Sequence, residues 1–410
     1  MELKEEFKEM IRALPGIDAE GLLRSLSEKP TVSIRINSRK PGAYFQGQET
    51  VSWNPNAFYL PFRPDFIFDP LFHAGTYYVQ EASSSILETI VRSLSSVLGC
   101  RRLNVLDLCA APGGKTTAII NALDDGSFIW ANELIHKRNI ILRENLAKWG
   151  YDDIKITEHP SSFFASGDYL FDIVLVDAPC SGEGMMRKED KAVEQWSEDL
   201  VVKCSLLQRD ILKDAVKCVK PGGFLIYSTC TFNMKENEEN ALYIFRNLDL
   251  QPFRIEYPKE SGISESLSDE VFAMRFMPHL TKGEGLFVSV FRKEGEWEPS
   301  KIEFPKDQLK IKTGKKDKRN DVKKKLEFGD NIPPIEEILS CNYDKSRFPF
   351  VNLNKEEALS YLKGNPLFFK EEIPKGFVVV GYEDHPLGMV KNIGQRANNL
   401  YPKAWRIKKQ

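Results

Sequence analysis

Two cysteines and one acid stand where a sheet would present them to a ligand. Cys180 lies in Val176-Asp-Ala-Pro-Cys-Ser-Gly-Glu-Gly-Met185, and Cys230 lies in Tyr227-Ser-Thr-Cys-Thr231. Each segment begins in an apolar run that is typical of a buried parallel strand, and Asp177 opens the first loop. A thiol at such a position can act as a nucleophile where its surroundings favour the anion. The competing interpretation, a small buried hydrophobe, is weaker for these two cysteines than for the other thiols of the chain.

A glycine-rich turn precedes both cysteines, in Val105-Leu-Asp-Leu-Cys-Ala-Ala-Pro-Gly-Gly-Lys-Thr116. Its glycines let the backbone approach a ligand, and the helix that follows offers free N–H groups. The phosphate-loop motif Gly-x4-Gly-Lys-Ser/Thr requires a glycine five residues before Gly114, but Cys109 stands there. The dinucleotide pattern Gly-x-Gly-x-x-Gly is also absent. Glu133, at the end of the next apolar run, can accept hydrogen bonds from both hydroxyls of a ribose.

Strands and helices alternate through the central part of the chain. Apolar runs predict strands at 103–108, 128–133, 154–156, 171–176, 224–227 and 286–291. Helical periodicity between them predicts helices that begin near 115 and that cover 137–149, 199–219 and 236–247. This order predicts a parallel, doubly wound α/β sheet with its ligand at the carboxyl ends of the strands.

Composition excludes several classes of protein. The 410 residues are 42% hydrophobic and 28% charged, as in ordinary folded proteins. No apolar run approaches the roughly 18 residues of a membrane helix, and the first residues lack the apolar core of a signal peptide. We therefore expect a cytoplasmic protein, in which its seven cysteines form no disulfide framework. Neither Cys-x-x-Cys nor His-Glu-x-x-His occurs, so no metal is expected.

The cysteine and glycine motifs resemble the signatures of the Sun/Nop family of RNA cytosine-carbon-5 methyltransferases. The Cys180 motif with its continuation Met-Met-Arg-Lys188 resembles the RsmF branch, which modifies small-subunit ribosomal RNA. Tyr77-Tyr-Val-Gln-Glu-Ala-Ser-Ser84 resembles the family segment ahead of the cofactor fold. Leu387-Gly-Met-Val-Lys-Asn and Tyr401-Pro-Lys-Ala resemble the branch's C-terminal RNA-binding region, which is related to PUA domains.

The resemblance implies a function and a set of site residues. It implies transfer of a methyl group from S-adenosylmethionine to carbon 5 of a cytosine, through a covalent adduct at carbon 6 of the base. The substrate that the RsmF branch implies is 16S rRNA. Cys230 matches the nucleophile, Cys180 the cysteine needed for product release, and Asp177 the carboxylate that faces base and cofactor. The positions that match the family's cofactor-binding residues are Cys109, Ala110, Ala111, Pro112, Gly113, Gly114, Lys115, Glu133 and Asp177.

The resemblance also implies an architecture. We expect a Rossmann-like α/β methyltransferase domain over 76–293, preceded by an α+β RNA-binding extension over 1–75. A basic linker over 294–334 leads to a small, mostly β, PUA-like domain over 335–410. Within that linker, residues 306–325 carry ten basic and three acidic residues. A run of this kind contacts phosphate or is a solvated linker.

The sequence leaves open which residue contacts the adenine and which of several functions the chain has. The family commonly has an acid that contacts the adenine after the third strand, but here Glu158 and His159 compete for that place.

The same reaction on tRNA and a catalytically silent RNA-binding assembly factor are the alternatives to rRNA methylation. A third alternative, a nicotinamide-dependent oxidoreductase, is disfavoured by the missing fingerprint. RNA contacts are expected from the basic linker, the C-terminal domain, Arg35 and Arg39-Lys40, and no obligatory protein partner is implied.

Overall fold

The strands form three separate sheets. The computed structural model describes residues 3–42, 45, 47–100, 102–299 and 332–408. In chain order the sheets contain four, nine and four strands. No helix within the described ranges is long and apolar enough to cross a membrane. The same residues contain no cluster of three or more His, Cys, Asp or Glu side chains that could hold a metal ion.

The N-terminal sheet is antiparallel and carries two helices before it. Its strand order is β2-β3-β1-β4. The apolar face of the first helix is buried, and Phe7 packs edge-on against Trp196 with 5.2 Å between ring centroids. This contact anchors the helix beside the loops that carry the cysteines. The elements are α1 Glu5–Arg12, α2 Ala19–Ser25, β1 Val32–Ile36, β2 Thr50–Val51, β3 Asn54–Leu60, α3 Pro70–Ala74 and β4 Tyr77–Val79.

The central sheet confirms the predicted α/β architecture. Five strands run parallel in the order β7-β6-β5-β8-β9, with helices on both faces. The order reverses at β5, so a crevice opens outside the carboxyl ends of β5 and β8. The elements are α4 Ile86–Val97, β5 Asn104–Asp107, α5 Gly114–Ala122, β6 Phe128–Asn132, α6 His136–Trp149, β7 Ile154–Thr157, α7 Ser161–Ser166, β8 Phe171–Asp177, α8 Asp190–Gln195, α9 Glu198–Ala215, β9 Val219–Thr229, α10 Glu238–Asn247, β10 Leu250–Pro252, β11 Ser264–Glu265, β12 Met274–Phe276 and β13 Leu286–Lys293.

The expectation of a wholly parallel sheet is wrong at one edge. The strand β13 runs antiparallel to β9, and Phe287 at its start faces Thr229 at the end of β9. The chain therefore enters β13 from the carboxyl edge of the sheet and has to run back. Strands β10 and β12 also pair antiparallel with β13. An apolar run predicts a buried strand but carries no information about its direction.

The C-terminal sheet confirms the expected small, mostly β unit. Its order is β14-β15-β16-β17, and only the β14–β15 pair is parallel. Its apolar core includes Tyr361, Val380 and Val390 and also takes in Ala74 of α3. The unit is therefore packed on the N-terminal part of the chain. Its elements are α11 Ile335–Ile338, β14 Phe350–Asn352, α12 Lys355–Leu362, β15 Gly376–Tyr382, β16 His385–Asn392 and β17 Ala397–Asn399.

Two of the three N-terminal cations that we expected to contact RNA are buried and structural. Arg35 is fully buried, donates to Gln80 Oε1 and Thr117 Oγ1, and lies over the ring of Trp149. Lys40 is buried and donates to the carbonyls of Ala74 and Lys148. The Arg39 side chain is only 17% exposed and pairs with Asp125. The expectation is wrong for Arg35 and Lys40, because buried guanidinium and ammonium groups cannot reach a ligand on the surface. For the half-buried Arg39 it stays a prediction. The basic run over 306–325 lies outside the described residues.

Candidate active site

The two candidate thiols lie side by side at the carboxyl edge of the central sheet. Asp177, the last residue of β8, faces Ser228 of β9 in the parallel register. Cys180 and Cys230 follow in the loops after these neighbouring strands, so the two loops leave the sheet at the same level. The distance between Cys180 Sγ and Cys230 Sγ is 3.2 Å. The two cysteines are fifty residues apart along the chain, and the pairing of β8 with β9 brings their loops side by side.

Asp177 and Lys115 form an ion pair next to the thiols. Lys115 Nζ lies 2.8 Å from Asp177 Oδ2, and Ser228 Oγ donates to Asp177 Oδ1 over 2.9 Å. Burial alone would lower the pKa of Lys115, but the carboxylate of Asp177, assisted by the charges of Cys230 and Glu81, raises it. Lys115 therefore stays cationic near Cys230, where a positive charge favours a thiolate.

The two thiols differ in their surroundings. The hydrogen bond with Cys230 and burial raise the pKa of Cys180 well above its ordinary value, and the charge of Glu236 acts in the same direction. Cys180 is therefore a neutral thiol in the free protein, able to donate its proton toward the neighbouring sulfur. A donor to a thiolate stabilises that anion. The raised pKa of Cys180 therefore leaves it as the protonated member of the pair.

A buried carboxylate that sequence reasoning missed joins the two cysteine loops. Glu183 is fully buried, three residues after Cys180. Its oxygens accept from the backbone N–H groups of Phe232 and Asn233 over 2.6 and 3.0 Å. They also accept from Asn233 Nδ2 and Trp196 Nε1 over 2.7 and 3.0 Å. The carboxylate thus fixes the loop after Cys230 to the loop after Cys180.

A second buried carboxylate, also missed, completes this connection. Glu236 accepts from the backbone N–H of Ser181 over 3.0 Å and from Gln208 Nε2 over 2.7 Å. Asn233 Nδ2 donates to it over 2.9 Å. Burial raises the pKa of Glu236, although the donors from Ser181, Asn233 and Gln208 oppose the shift. The Ser-Gly-Glu-Gly spelling drew attention to residue 183 only as part of a motif, and nothing local to residue 236 indicated its role.

The glycine-rich turn connects β5 to α5 at the edge of the sheet where the strand order reverses. Gly113 adopts a φ of +108° at the N-terminus of α5, a conformation that favours glycine. Ala110 and Ala111 are buried, and Tyr78 Oη lies within hydrogen-bond distance of the Pro112 carbonyl. The turn spans 109–115 beside Asp177, because Lys115 reaches that carboxylate. The predicted cofactor loop and the predicted catalytic residues are therefore neighbours in space.

Cys109 does not compete with the other two thiols. Burial raises its pKa far above the ordinary value, and the carboxylates of Asp107, Asp177 and Glu133 add to the shift. A thiol in these surroundings stays protonated, so it packs as a small apolar side chain.

Glu133 lies at the end of β6, as predicted, and its side chain is only 4% exposed. One oxygen accepts from the backbone N–H of Ile135 over 2.9 Å. The other lies 3.2 Å from the guanidinium of Arg138 but has no hydrogen-bond donor among the described residues. A buried carboxylate oxygen without a donor fits the hydroxyl groups of a ribose. This acceptor, together with the Gly113–Gly114 turn, fits S-adenosylmethionine.

The two candidates for the adenine contact have different environments. The carboxylate of Glu158 lies 2.9 Å from His136 Nδ1 at the surface. The ring of His159 stacks on Phe163, with 3.9 Å between centroids, and its backbone N–H donates to Asn132. Neither contact assigns the adenine to one residue, so the question stays open.

The fold and this arrangement define a Rossmann-like methyltransferase, and comparisons with known proteins identify the family. The model described as 16S rRNA methyltransferase RsmB/F matches residues 101–292. The N-terminal domain of 16S rRNA methyltransferase RsmF matches residues 3–82, and the methyltransferase RsmF PUA domain matches residues 348–407. The chain belongs to this RsmB/F family and is an S-adenosylmethionine-dependent methyltransferase, as the sequence motifs predicted.

Individual relatives agree with the family. A ribosomal RNA small subunit methyltransferase F from Cronobacter sakazakii is 28% identical, over 98% of this chain and 96% of its own length. Another from Pectobacterium atrosepticum is 34% identical over 55% of this chain and 46% of its own. A methyltransferase homolog protein from Pyrococcus horikoshii has a TM-score of 0.59 and 25% identity, covering 71% of this chain and 95% of its own. NSun6 from the same organism, with a TM-score of 0.58, is 20% identical and covers 72% and 99%, which shows the shared fold.

Proposed function

We propose that this protein methylates carbon 5 of a cytosine in 16S rRNA through a transient bond between Cys230 and carbon 6 of the base. The observation that supports this most is the 3.2 Å separation of the two sulfur atoms beside the Asp177–Lys115 pair. When bound, S-adenosylmethionine supplies an electrophilic methyl group. Every other part of the chemistry falls to side chains of the chain itself.

Cys230 is the proposed nucleophile. Its sulfur lies within hydrogen-bond distance of the Cys180 sulfur, and the charge of Lys115 acts on the same residue. A neighbouring cation and a hydrogen-bond donor are surroundings in which a thiolate nucleophile can form. Addition of that thiolate to carbon 6 turns the ring into an enamine, which makes carbon 5 nucleophilic. Asp177 is proposed to face ring nitrogen 3, where a carboxyl group stabilises the charge that develops during the addition.

Cys180 is the proposed base that releases the product. While Cys230 is not bonded to the base, its hydrogen bond with Cys180 and the charge on its sulfur keep the pKa of Cys180 high. Once the Cys230 sulfur is bonded to carbon, it carries no charge, and that part of the shift disappears. Cys180 then loses its proton to water more readily, and its thiolate can accept the proton on carbon 5. The electron pair of that carbon–hydrogen bond restores the double bond between carbons 5 and 6, and the Cys230 sulfur leaves as a thiolate. Methylation and release are thereby ordered.

The substrate assignment draws on the relatives. The relatives named ribosomal RNA small subunit methyltransferase F support 16S rRNA rather than tRNA as the substrate. We propose that residues 1–75 and 335–410 are the RNA-binding units around the catalytic region 76–293, with the basic linker over 294–334. The assembled small subunit in the cytoplasm is the proposed setting.

Methyl transfer to defined RNAs tests this proposal. The protein is incubated with methyl-labelled S-adenosylmethionine and, separately, naked 16S rRNA, assembled small subunits and tRNA, and the modified base is mapped. We expect 5-methylcytosine at one position of the small-subunit RNA. Label only in tRNA would overturn the substrate, and cofactor binding without methyl transfer to any RNA would overturn the activity.

A further inference from the structure

A cleft of about 1020 Å³ opens between the N-terminal sheet and the loop that follows Cys180. Residues 29–32 and 59–63 line one side, and residues 187–189 line the other, with Glu49 and Lys282 at the margin. The proposed reaction does not use any of these side chains. The cleft is distinct from the cofactor crevice at β5 and β8.

The cleft carries an excess of positive charge. Its exposed cations are Lys29, Arg63, Lys188 and Lys282, against the two acids Glu49 and Glu189. Lys282 pairs with Glu49, and Lys188 Nζ lies 3.8 Å from Glu284, whereas Lys29 and Arg63 have no ionic partner among the described residues. A cluster of this kind attracts phosphate groups.

An exposed aromatic ring stands among these cations. Phe62 is 71% exposed, although a phenylalanine ring ordinarily lies inside a protein. The guanidinium of its neighbour Arg63 lies 5.5 Å from the centroid of Phe66, so the Arg63 head group is held beside the cleft. Exposed rings next to cations form stacking platforms for unpaired bases.

The lining of the cleft is connected to the backbone that holds the thiols. Gly184 donates its backbone N–H to the Cys230 carbonyl over 2.8 Å, one turn before Arg187. Glu284 pairs with Arg187 over 2.8 Å and accepts from the backbone N–H of Thr31 over 3.1 Å. One turn of chain therefore separates the edge of the cleft from the loop of the proposed nucleophile.

We propose that this cleft holds an unpaired RNA segment next to the target cytosine, with a base stacked on Phe62 and phosphates on Lys29, Arg63 and Lys188. The volume is at the upper end of the roughly 300–1,000 Å³ typical of small-ligand sites, so it suits a few nucleotides rather than a duplex. Holding the flanking strand would offset the few kcal/mol needed to unstack the target base. The inference rests on the proposed RNA substrate and adds the place where that RNA is held.

The test uses full-length variants with substitutions at the exposed surface. K29A/R63A/K188A removes three phosphate contacts, F62A removes the ring, and K213A/K217A removes two lysines from the opposite end of the sheet as the control. Binding to a single-stranded RNA oligonucleotide, to naked 16S rRNA and to assembled small subunits is measured across a salt series. Binding of S-adenosylhomocysteine is measured beside it. We expect F62A to weaken RNA binding about tenfold. The triple variant should also flatten the salt dependence by about 2 in log–log slope, with cofactor binding unchanged.

The outcomes separate the cleft from the function. If the unmodified protein methylates RNA but K29A/R63A/K188A and F62A bind it with unchanged affinity and slope, the cleft assignment is overturned and the function stands. If the unmodified protein binds no RNA, both are overturned. Variants that bind naked RNA normally but lose affinity for the assembled small subunit would assign the cleft to a ribosomal protein, which also overturns the proposal.

Discussion

The residues of the site are held by a few buried ionisable groups. Asp107 ends β5 directly below the cofactor turn and accepts a 2.7 Å hydrogen bond from Thr116. Burial raises the pKa of Asp107 from 3.8 to about 7, although the bond from Thr116 opposes the shift. The folded protein therefore binds this proton more tightly than the unfolded chain does. The stability that results is fully present below about pH 4 and is lost as the pH rises through 7.

Asp107→Asn is expected to reduce this pH dependence. The amide cannot ionise but still presents an oxygen to Thr116. We expect the fall in unfolding free energy between pH 4 and pH 7 to shrink by up to about 4 kcal/mol. Denaturant unfolding at several pH values measures it, with Asp190→Asn at an exposed position of α8 as the control. The same decline in both variants would contradict the burial argument.

At the scale of elements, Glu183 connects two loops that the sheet only brings close. Glu183→Gln replaces one acceptor oxygen by an NH₂ group that faces the N–H donors of Phe232, Asn233 or Trp196. Hydrogen bonds to a charged group contribute about 1.5–3 kcal/mol each, so we expect a loss of about 2–4 kcal/mol in unfolding free energy and about a tenfold lower kcat. Glu194→Gln, at an exposed position of α8, is the control. Unchanged stability and kcat would show that Glu183 does not fix the loops.

Most of the central elements were predictable from sequence because their apolar patterns are strong. The predicted strand at 171–176 is β8, Phe171–Asp177, and the predicted helix at 137–149 is α6, His136–Trp149. The strand expected at 224–227 extends over Val219–Thr229, because Val219 also pairs with β8, on the far side of a register shift at the Pro-Gly-Gly segment. Its partner β13 has a direction that no local pattern encodes.

The site residues that stand in sequence motifs were predictable, and the other residues of the site were not. Cys180, Cys230 and Lys115 stand in recognisable segments, and the structure brings them together. Glu236 depends on partners such as Ser181 that are distant in sequence, so no local pattern identifies it. The RNA contacts expected from Arg35 and Lys40 were wrong because residue type indicates charge but not burial.

At the scale of the whole molecule, a glycine at the end of α6 permits the C-terminal part to dock. Gly150 adopts a φ of +79°, and its backbone carbonyl accepts from the backbone N–H of Cys341 over 2.8 Å. A Cβ at this position would stand 2.3 Å from the Leu339 carbonyl and 2.9 Å from Lys40 Nζ. The segment before β14 therefore lies directly against α6 and the buried lysine. Removal of the C-terminal unit would expose apolar surface at α3. It would also remove the RNA contacts proposed for that unit.

Gly150→Ala is expected to weaken this docking without altering the thiols. Strain at a positive φ together with a backbone clash costs at least about 1–3 kcal/mol. We expect a lower Tm and faster hydrogen exchange in β15 and β16, while S-adenosylhomocysteine affinity is kept. Gly16→Ala, also at positive φ but with no atom near its Cβ position, separates the clash from the strain. Equal effects of the two substitutions would contradict the docking interpretation.

The covalent step through Cys230 is the claim on which the proposed function depends, and trapping the intermediate measures it. The Cys180→Ala and Cys230→Ala proteins are incubated with S-adenosylmethionine and small-subunit RNA, denatured, and analysed by mass spectrometry for RNA bonded to protein. We expect Cys180→Ala to accumulate a denaturant-resistant adduct whose RNA is bonded to residue 230, and Cys230→Ala to form none and to methylate nothing. Turnover by Cys230→Ala, or an adduct mapped to any other residue, would contradict the account.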